Sequence, residues 1–254
     1  MCLIFISFQE HPSYKLIVAA NRDEFHRRKT AAADFWKDYP NILGGRDLEA
    51  NGTWLGVSRS GKISLLTNYR DPQHINPSAP SRGHLVSDFL EDNVAAEPYM
   101  KAVESRGKQY NGYNLIAGTA DKLWYHSNYA PGTQSIAPGL HGLSNHLLDT
   151  PWPKVERGKQ LLEPILKQKR IEPSEIFEFL YDDHVAPDNQ LPDTGVGLER
   201  ERALSSMFIK SPDYGSRCST VVLIDRQNHL LFSERVYDLS TFQFATKDFE
   251  FNIH

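Results

Sequence analysis

Two patterns predict an α+β fold built on antiparallel sheets. Short apolar runs come in pairs joined by turn-rich segments, and helical periodicity gathers between those pairs instead of following every strand. Paired runs with tight connections make antiparallel neighbours, whereas a doubly wound parallel sheet needs a long crossover after each strand. With 254 residues, 40% of them hydrophobic, the chain is long enough for one large core, and no repeat, low-complexity tract or Gly/Ser linker divides it. It is read as a single domain over 1–254.

Cys2 to Phe8 and Leu16 to Ala20, rich in Ile, Leu and Val, flank Glu10-His11-Pro12-Ser13 and read as a first hairpin. A second joins Gly52 to Val57 with Ile63 to Thr67 through Ser58-Arg59-Ser60-Gly61-Lys62, whose glycine accepts a positive φ. Helices follow: Ser81 to Asp92 carries Leu85, Val86, Phe89 and Leu90 at helical spacing, and another segment runs from near Pro98 to Gly107. Asn114 to Ala117 and Leu123 to Tyr125 make a third hairpin. Asp149-Thr150-Pro151 supplies a cap and an early proline for a helix carrying Val155, Leu162, Ile165 and Leu166, which Pro164 is expected to kink or divide. A helix from Pro173 to Leu180 is expected beside it. Ser219 to Ile224 and Leu230 to Tyr237 form the last hairpin.

Composition removes several classes of function. A formal charge of -4 opposes a polyanionic partner, because phosphate binding needs a basic surface, so nucleic acid is not expected. No stretch approaches the roughly 18 uninterrupted apolar residues of a membrane span, and Leu3 to Phe8 lacks the basic flank and length of an export signal. Two cysteines, at 2 and 218, make no disulfide framework and fit a reducing, cytoplasmic setting. The ten histidines fall into no zinc pattern, and no glycine run forms a phosphate loop. Trp54, Trp124 and Trp152 read as packing residues, Arg200-Glu201-Arg202 as an exposed helical face, and Cys218 as a small buried hydrophobe.

Cys2 is the residue with chemistry to offer. Removal of Met1 would make it the first residue, placing an α-amine that ordinarily titrates at roughly 7.7 to 8.0 beside a thiol of roughly 8.5. Base and nucleophile then share one residue. A retained methionine would turn that amine into an amide nitrogen unable to accept a proton. Position alone equally fits a small hydrophobe at the start of an edge strand. Asn21-Arg22-Asp23-Glu24, at the far end of the partner strand, returns in a hairpin to the neighbourhood of Cys2, where an arginine lowers a thiol pKa and a carboxylate orients an ammonium. As a bare pattern these four also read as a solvated cluster in a loop.

Cys2, Asn21 to Glu24, Gly52-Thr53-Trp54-Leu55-Gly56, Leu66-Thr67-Asn68, Gly142-Leu143-Ser144-Asn145, Asp149 to Lys154 and Tyr214 to Thr220 together resemble the NRDE family, also called the transport and Golgi organisation 2 family. The resemblance covers nearly the whole chain. That family is in turn similar to the N-terminal nucleophile hydrolases, implying a four-layer α/β/β/α sandwich laid out like the choloylglycine hydrolase and penicillin V acylase group. It implies Cys2 as nucleophile, Asn68 as an oxyanion-hole donor, Asn145 as the asparagine touching the α-amine, and Arg217 as a second arginine tuning the thiolate. One departure stands: the acylases place arginine and aspartate three apart, whereas here Arg22 and Asp23 are adjacent and the three-apart pair is Asn21 and Glu24. Either pair can face Cys2; Arg22 and Asp23 are taken as catalytic. The expected activity is hydrolysis of a linear, non-peptide amide or related acyl compound. The alternative is a carrier for haem or an acyl or lipid ligand, for family members are linked to haem movement and to lipid and acyl-coenzyme A metabolism. No cofactor is expected, haem entering only as a ligand.

Overall fold

The structure, a computed structural model, describes residues 2–253, so the expected removal of Met1 falls outside it. In chain order the strands are β1 (Cys2–Phe8), β2 (Tyr14–Phe25), β3 (Thr30–Phe35), β4 (Ile42–Asp47), β5 (Leu55–Ser58) and β6 (Ile63–Asn68). Helices α1 (His84–Glu91) and α2 (Ala96–Arg106) follow, then β7 (Tyr113–Thr119), β8 (Lys122–Ser127), β9 (Thr133–Ser135) and β10 (Gly139–Leu143). Helices α3 (Pro153–Leu166), α4 (Pro173–Leu180) and α5 (Leu198–Ala203) lead to β11 (Tyr214–Asp225), β12 (His229–Tyr237) and β13 (Phe244–Asn252).

The strands make a six-stranded sheet, β10-β1-β2-β11-β12-β13, and a seven-stranded sheet, β3-β4-β5-β6-β7-β8-β9, antiparallel throughout. Alternation along β1 explains the layering. Ile4, Ile6 and Phe8 point into the core between the sheets, and Leu3 and Phe5 point into a second core beneath α3 and α4. A strand covered on both faces must be apolar on both, as the run Leu3-Ile4-Phe5-Ile6 is. Helices α1 and α2 cover the outer face of the other sheet through Leu85, Phe89, Met100 and Val103, completing an α/β/β/α sandwich.

Several expectations are corrected. β1 is an interior strand, flanked by β10 as well as β2. β2 runs on to Phe25, so Asn21 to Glu24 lie within a strand and not in a loop after it. Helix α3 is not divided: Pro164 lies in its last turn, where the missing N–H removes one hydrogen bond without interrupting the axis. Within the expected exposed face, Glu201 is buried, facing Arg70.

Glycines press α3 onto the sheet. A β-carbon at Gly142 would lie 2.6 Å from Val155 Cγ1, and one at Gly158 would lie 2.0 Å from Phe5 Cζ. Phe5 cannot retreat freely because its ring meets Phe179 edge-on at 5.3 Å. Gly158→Ala is therefore expected to destabilise by about 1–2 kcal/mol net, overpacking outweighing the gain in helix propensity. Urea denaturation reads this, and an unchanged midpoint would mean that the seat of α3 has slack.

Candidate active site

Cys2 opens β1 directly opposite Arg22 of β2, which is in turn opposite Cys218 of β11. Residues facing one another across neighbouring strands share a sheet face, so Cys2, Arg22 and Cys218 form a row turned into the space between the sheets. On the other side of β1 the pairing with β10 sets Ile4 against Leu143, and that register runs on toward Asn145 at the Cys2 end. Cys2 is 7% exposed. Burial pushes its thiol up, Asp23 and Glu24 push the same way, and Arg22 opposes them.

Alternation splits the Asn-Arg-Asp-Glu run. Arg22 lies between the sheets, its guanidinium 4.2 Å from the Trp54 ring centroid and 3.7 Å from Glu24 Oε2. Asn21 and Asp23 turn toward the helices. Asn21 Nδ2 donates to the carbonyls of Leu180 and Met207 while its Oδ1 accepts from Ser219 Oγ at 2.6 Å, a bonding pattern that locks α4 to the sheet. Asp23 Oδ1 accepts from Ser216 Oγ at 2.6 Å. The two residues taken as catalytic thus approach residue 2 from opposite faces, and both act on its thiol.

Asn145 ties the two sheets together. It is fully buried, its Nδ2 donates to the Asn68 carbonyl at 2.9 Å, and its own carbonyl accepts the Arg70 N–H at 2.8 Å. Asn68 ends β6 and is brought to this junction by its backbone. A second tie runs parallel: Asn114 Nδ2 donates to Thr67 Oγ1 and to the His146 carbonyl, and Tyr125 Oη donates to Asn114 Oδ1. Beside Asn145, Arg70 Nη1 meets Glu201 Oε2 at 2.7 Å, and Trp152 lies under the guanidinium at 4.8 Å.

Arg217 is the extra residue of a bulge in β11, where Asp23 pairs with Ser216 and Arg22 with Cys218. A bulge re-aims the side chain it carries. Here Arg217 Nη1 donates to the carbonyls of Phe25, His26 and Arg28, clamping the segment that follows β2. The structure instead brings Arg82, Lys154 and Tyr214 into electrostatic reach of Cys2. Sequence reading gives none of these a role, although Lys154 and Tyr214 lie inside the family motifs; Arg82, just ahead of α1, is marked by nothing local. A cavity of about 430 Å³, lined in part by Trp54, Arg217, Cys218, Glu234, Val236 and Tyr237, opens at the Cys218 end of the row. Among the described residues there is no group of three or more His, Cys, Asp or Glu side chains able to hold a metal, and no helix long and apolar enough to cross a membrane.

The loop bearing Asn145 is held by Asp149, itself at φ 59°. Burial pushes the Asp149 carboxyl up, yet hydrogen bonds from His141, Lys159 and the Gly142 N–H overcome it and hold the pKa at about 2. A carboxyl whose pKa falls on folding stabilises above its unfolded value, about 3.9, and that contribution is lost as pH drops toward 2. Urea midpoints measured between pH 5 and pH 2 are expected to fall less in Asp149→Asn than in the wild type; equal losses would show that the carboxylate is not what anchors this loop.

The family described as Transport and Golgi organisation 2 matches residues 1–239. The Transport and Golgi organization 2 homolog of Mus musculus is 38% identical over 275 aligned residues, covering 100% of this chain and 99% of that protein. Transport and Golgi organization protein 2 of Drosophila melanogaster is 30% identical, covering 92% and 91%. Among solved structures, the Caenorhabditis elegans ortholog of N-acylethanolamine-hydrolyzing acid amidase aligns at TM-score 0.50 and 11% identity, over 87% of this chain and 92% of that one. The C2A mutant of the conjugated bile acid hydrolase from Clostridium perfringens aligns at TM-score 0.53 and 9% identity, over 100% and 98%. At such identities the likeness concerns the fold alone, the α/β/β/α sandwich of two antiparallel sheets.

Proposed function

The chain belongs to the Transport and Golgi organisation 2 family, and from that footing we propose that it is a cytoplasmic N-terminal cysteine amidohydrolase, cleaving a linear, non-peptide C–N amide or related acyl compound through a thioester on Cys2. Loss of Met1 frees the Cys2 α-amine, which takes the thiol proton as sulfur attacks the substrate carbonyl. The C–S bond forms, the C–N bond breaks, and the ammonium returns its proton to the departing amine. Water, deprotonated by the same amine, then attacks the thioester; the C–S bond breaks, the acid leaves, and the thiol is restored.

The surrounding residues take roles in this scheme. The side chain of Asn68 donates to the developing oxyanion, a contact whose loss raises a barrier by roughly 3–4 kcal/mol. Asn145 orients the α-amine, Asp23 balances its charge, and Arg22 favours the thiolate. Arg217 shapes the segment after β2, next to Arg22 and Glu24. The observation that carries the proposal is the position of residue 2, held in an interior strand with Arg22 directly across from it and with Asn145 just beyond Leu143, the last residue of β10 to pair with β1. The structural neighbours add support, being named for hydrolysis of an N-acylethanolamine and of conjugated bile acids.

Intact mass of the purified protein is the direct test. The proposal requires a species lighter by one methionine residue, which gains an acyl group during incubation with a substrate amide. A second reading draws on the raised Cys2 thiol and the 430 Å³ cavity beyond it: a carrier of haem or an acyl or lipid ligand. Haemin binding that is equal in wild type and Cys2→Ala, with no acylated species across an amide panel, favours the carrier.

A further inference from the structure

Helix α3 places a lysine where a cation is expensive to keep. Lys154 follows the Pro153 that opens the helix, and the seat of α3 on Phe5 and Gly142 drives it beneath the Cys2 end of the sheet. It is 3% exposed, and its Nζ has no hydrogen-bond partner among the described residues. A buried ammonium without a hydrogen bond is strongly disfavoured unless a charge nearby compensates it. The charged and titratable groups acting on it from the packed elements are Asp23 of β2, Arg70 after β6, Cys2 of β1 and Glu201 of α5. Arg70 and Glu201 already neutralise one another at 2.7 Å. Of the four, Asp23 acts on Lys154 most strongly, and it favours the charged form. The same aspartate acts on Cys2, as does half-buried Tyr214.

We infer that Lys154 is a positioning residue of the Cys2 site: it forms with Asp23 a buried charge couple that sets how readily the thiol of residue 2 gives up its proton. The inference rests on the hydrolase reading. Asp23 adds to the burial that keeps a proton on sulfur, and Lys154 opposes Asp23 without touching a substrate. Burial pushes the Lys154 ammonium down to about 8 and the Asp23 carboxyl up, while each charge favours the other, so the couple lapses as Lys154 deprotonates.

The test needs no substrate. Alkylation of Cys2 by iodoacetamide, followed by mass spectrometry of the N-terminal peptide between pH 6 and pH 10, reports the thiolate directly. Lys154→Met removes the cation that offsets Asp23 and is expected to move the midpoint up by roughly one pH unit, and Asp23→Asn to move it down by a comparable amount. The Lys154→Met, Asp23→Asn double variant should return close to the wild-type midpoint, as should Lys154→Arg. A merely structural lysine does not produce opposed shifts that cancel. A common midpoint for wild type and Lys154→Met, or a double variant displaced as far as either single one, overturns the inference and leaves the hydrolase standing. A wild-type Cys2 that resists alkylation until denaturant is added sinks the hydrolase reading, and this inference with it.

Discussion

Cys2→Ala is expected to eliminate acyl transfer while leaving the protein folded. Hydrolysis of any amide the wild type accepts should fall by roughly 10⁴-fold or more, the scale seen when a covalent nucleophile is removed. The covalent adduct, detected as an added acyl mass, should vanish altogether. Structural damage is limited because the substitution deletes a single sulfur from the end of the core between the sheets, beside Arg22, and β1 keeps its ladders to β2 and β10. A cavity of that size costs about 1 kcal/mol. Retained turnover in Cys2→Ala, at even a tenth of the wild-type rate, removes the thioester from the mechanism.

Glu201→Ala is expected to produce the largest loss of stability of any single change near the site, about 3–5 kcal/mol. Arg70 and Glu201 are both buried, so truncating the acid leaves a buried guanidinium without its counter-charge. Glu201 Oε1 also accepts from the N–H and the hydroxyl of Thr194, fastening the loop ahead of α5. At about 2–4 °C per kcal/mol for a chain this long, the melting temperature should drop by roughly 10 °C. Because Arg70 donates its backbone N–H to the Asn145 carbonyl, loosening of that asparagine should accompany the loss. A melting temperature within a degree or two of wild type means that the pair is solvated in solution.

The hairpins are legible in the sequence because apolar runs with flanking turns survive averaging over context. β1 with β2, β5 with β6, β7 with β8, and β11 with β12 all pair as expected. The strands β3 and β4 are hidden because Thr30-Ala-Ala-Ala-Asp-Phe35 and Ile42-Leu-Gly-Gly-Arg-Asp47 carry weak strand formers, and the register between them slips. Asn21, Arg22 and Asp23 resemble a solvated turn, since buried polar residues in a strand interior are distinguishable from a loop only when their partners are known. Those partners are Ser216, Ser219, the carbonyls of Leu180 and Met207, and Trp54, all remote in sequence. Glu201 misleads for the opposite reason: in a run of alternating charges nothing local marks the one that turns inward to Arg70. Arg217 cannot be placed at all without the bulge, which depends on how β11 meets β2. Residue identity and motif order are legible at the site; which face each residue takes is not.

That division of faces bears on how such a site diverges. Arg22 and Asp23 are consecutive, yet one belongs to the chamber between the sheets and the other to the chamber under the helices. The backbone of β2 therefore acts as a partition wall, with Arg22 on one side and Asp23 on the other. Changes among the loops that enclose a bound molecule meet Arg22, whereas changes in how the helices settle meet Asp23, so one thiol can be retuned from either side in descendants of one scaffold.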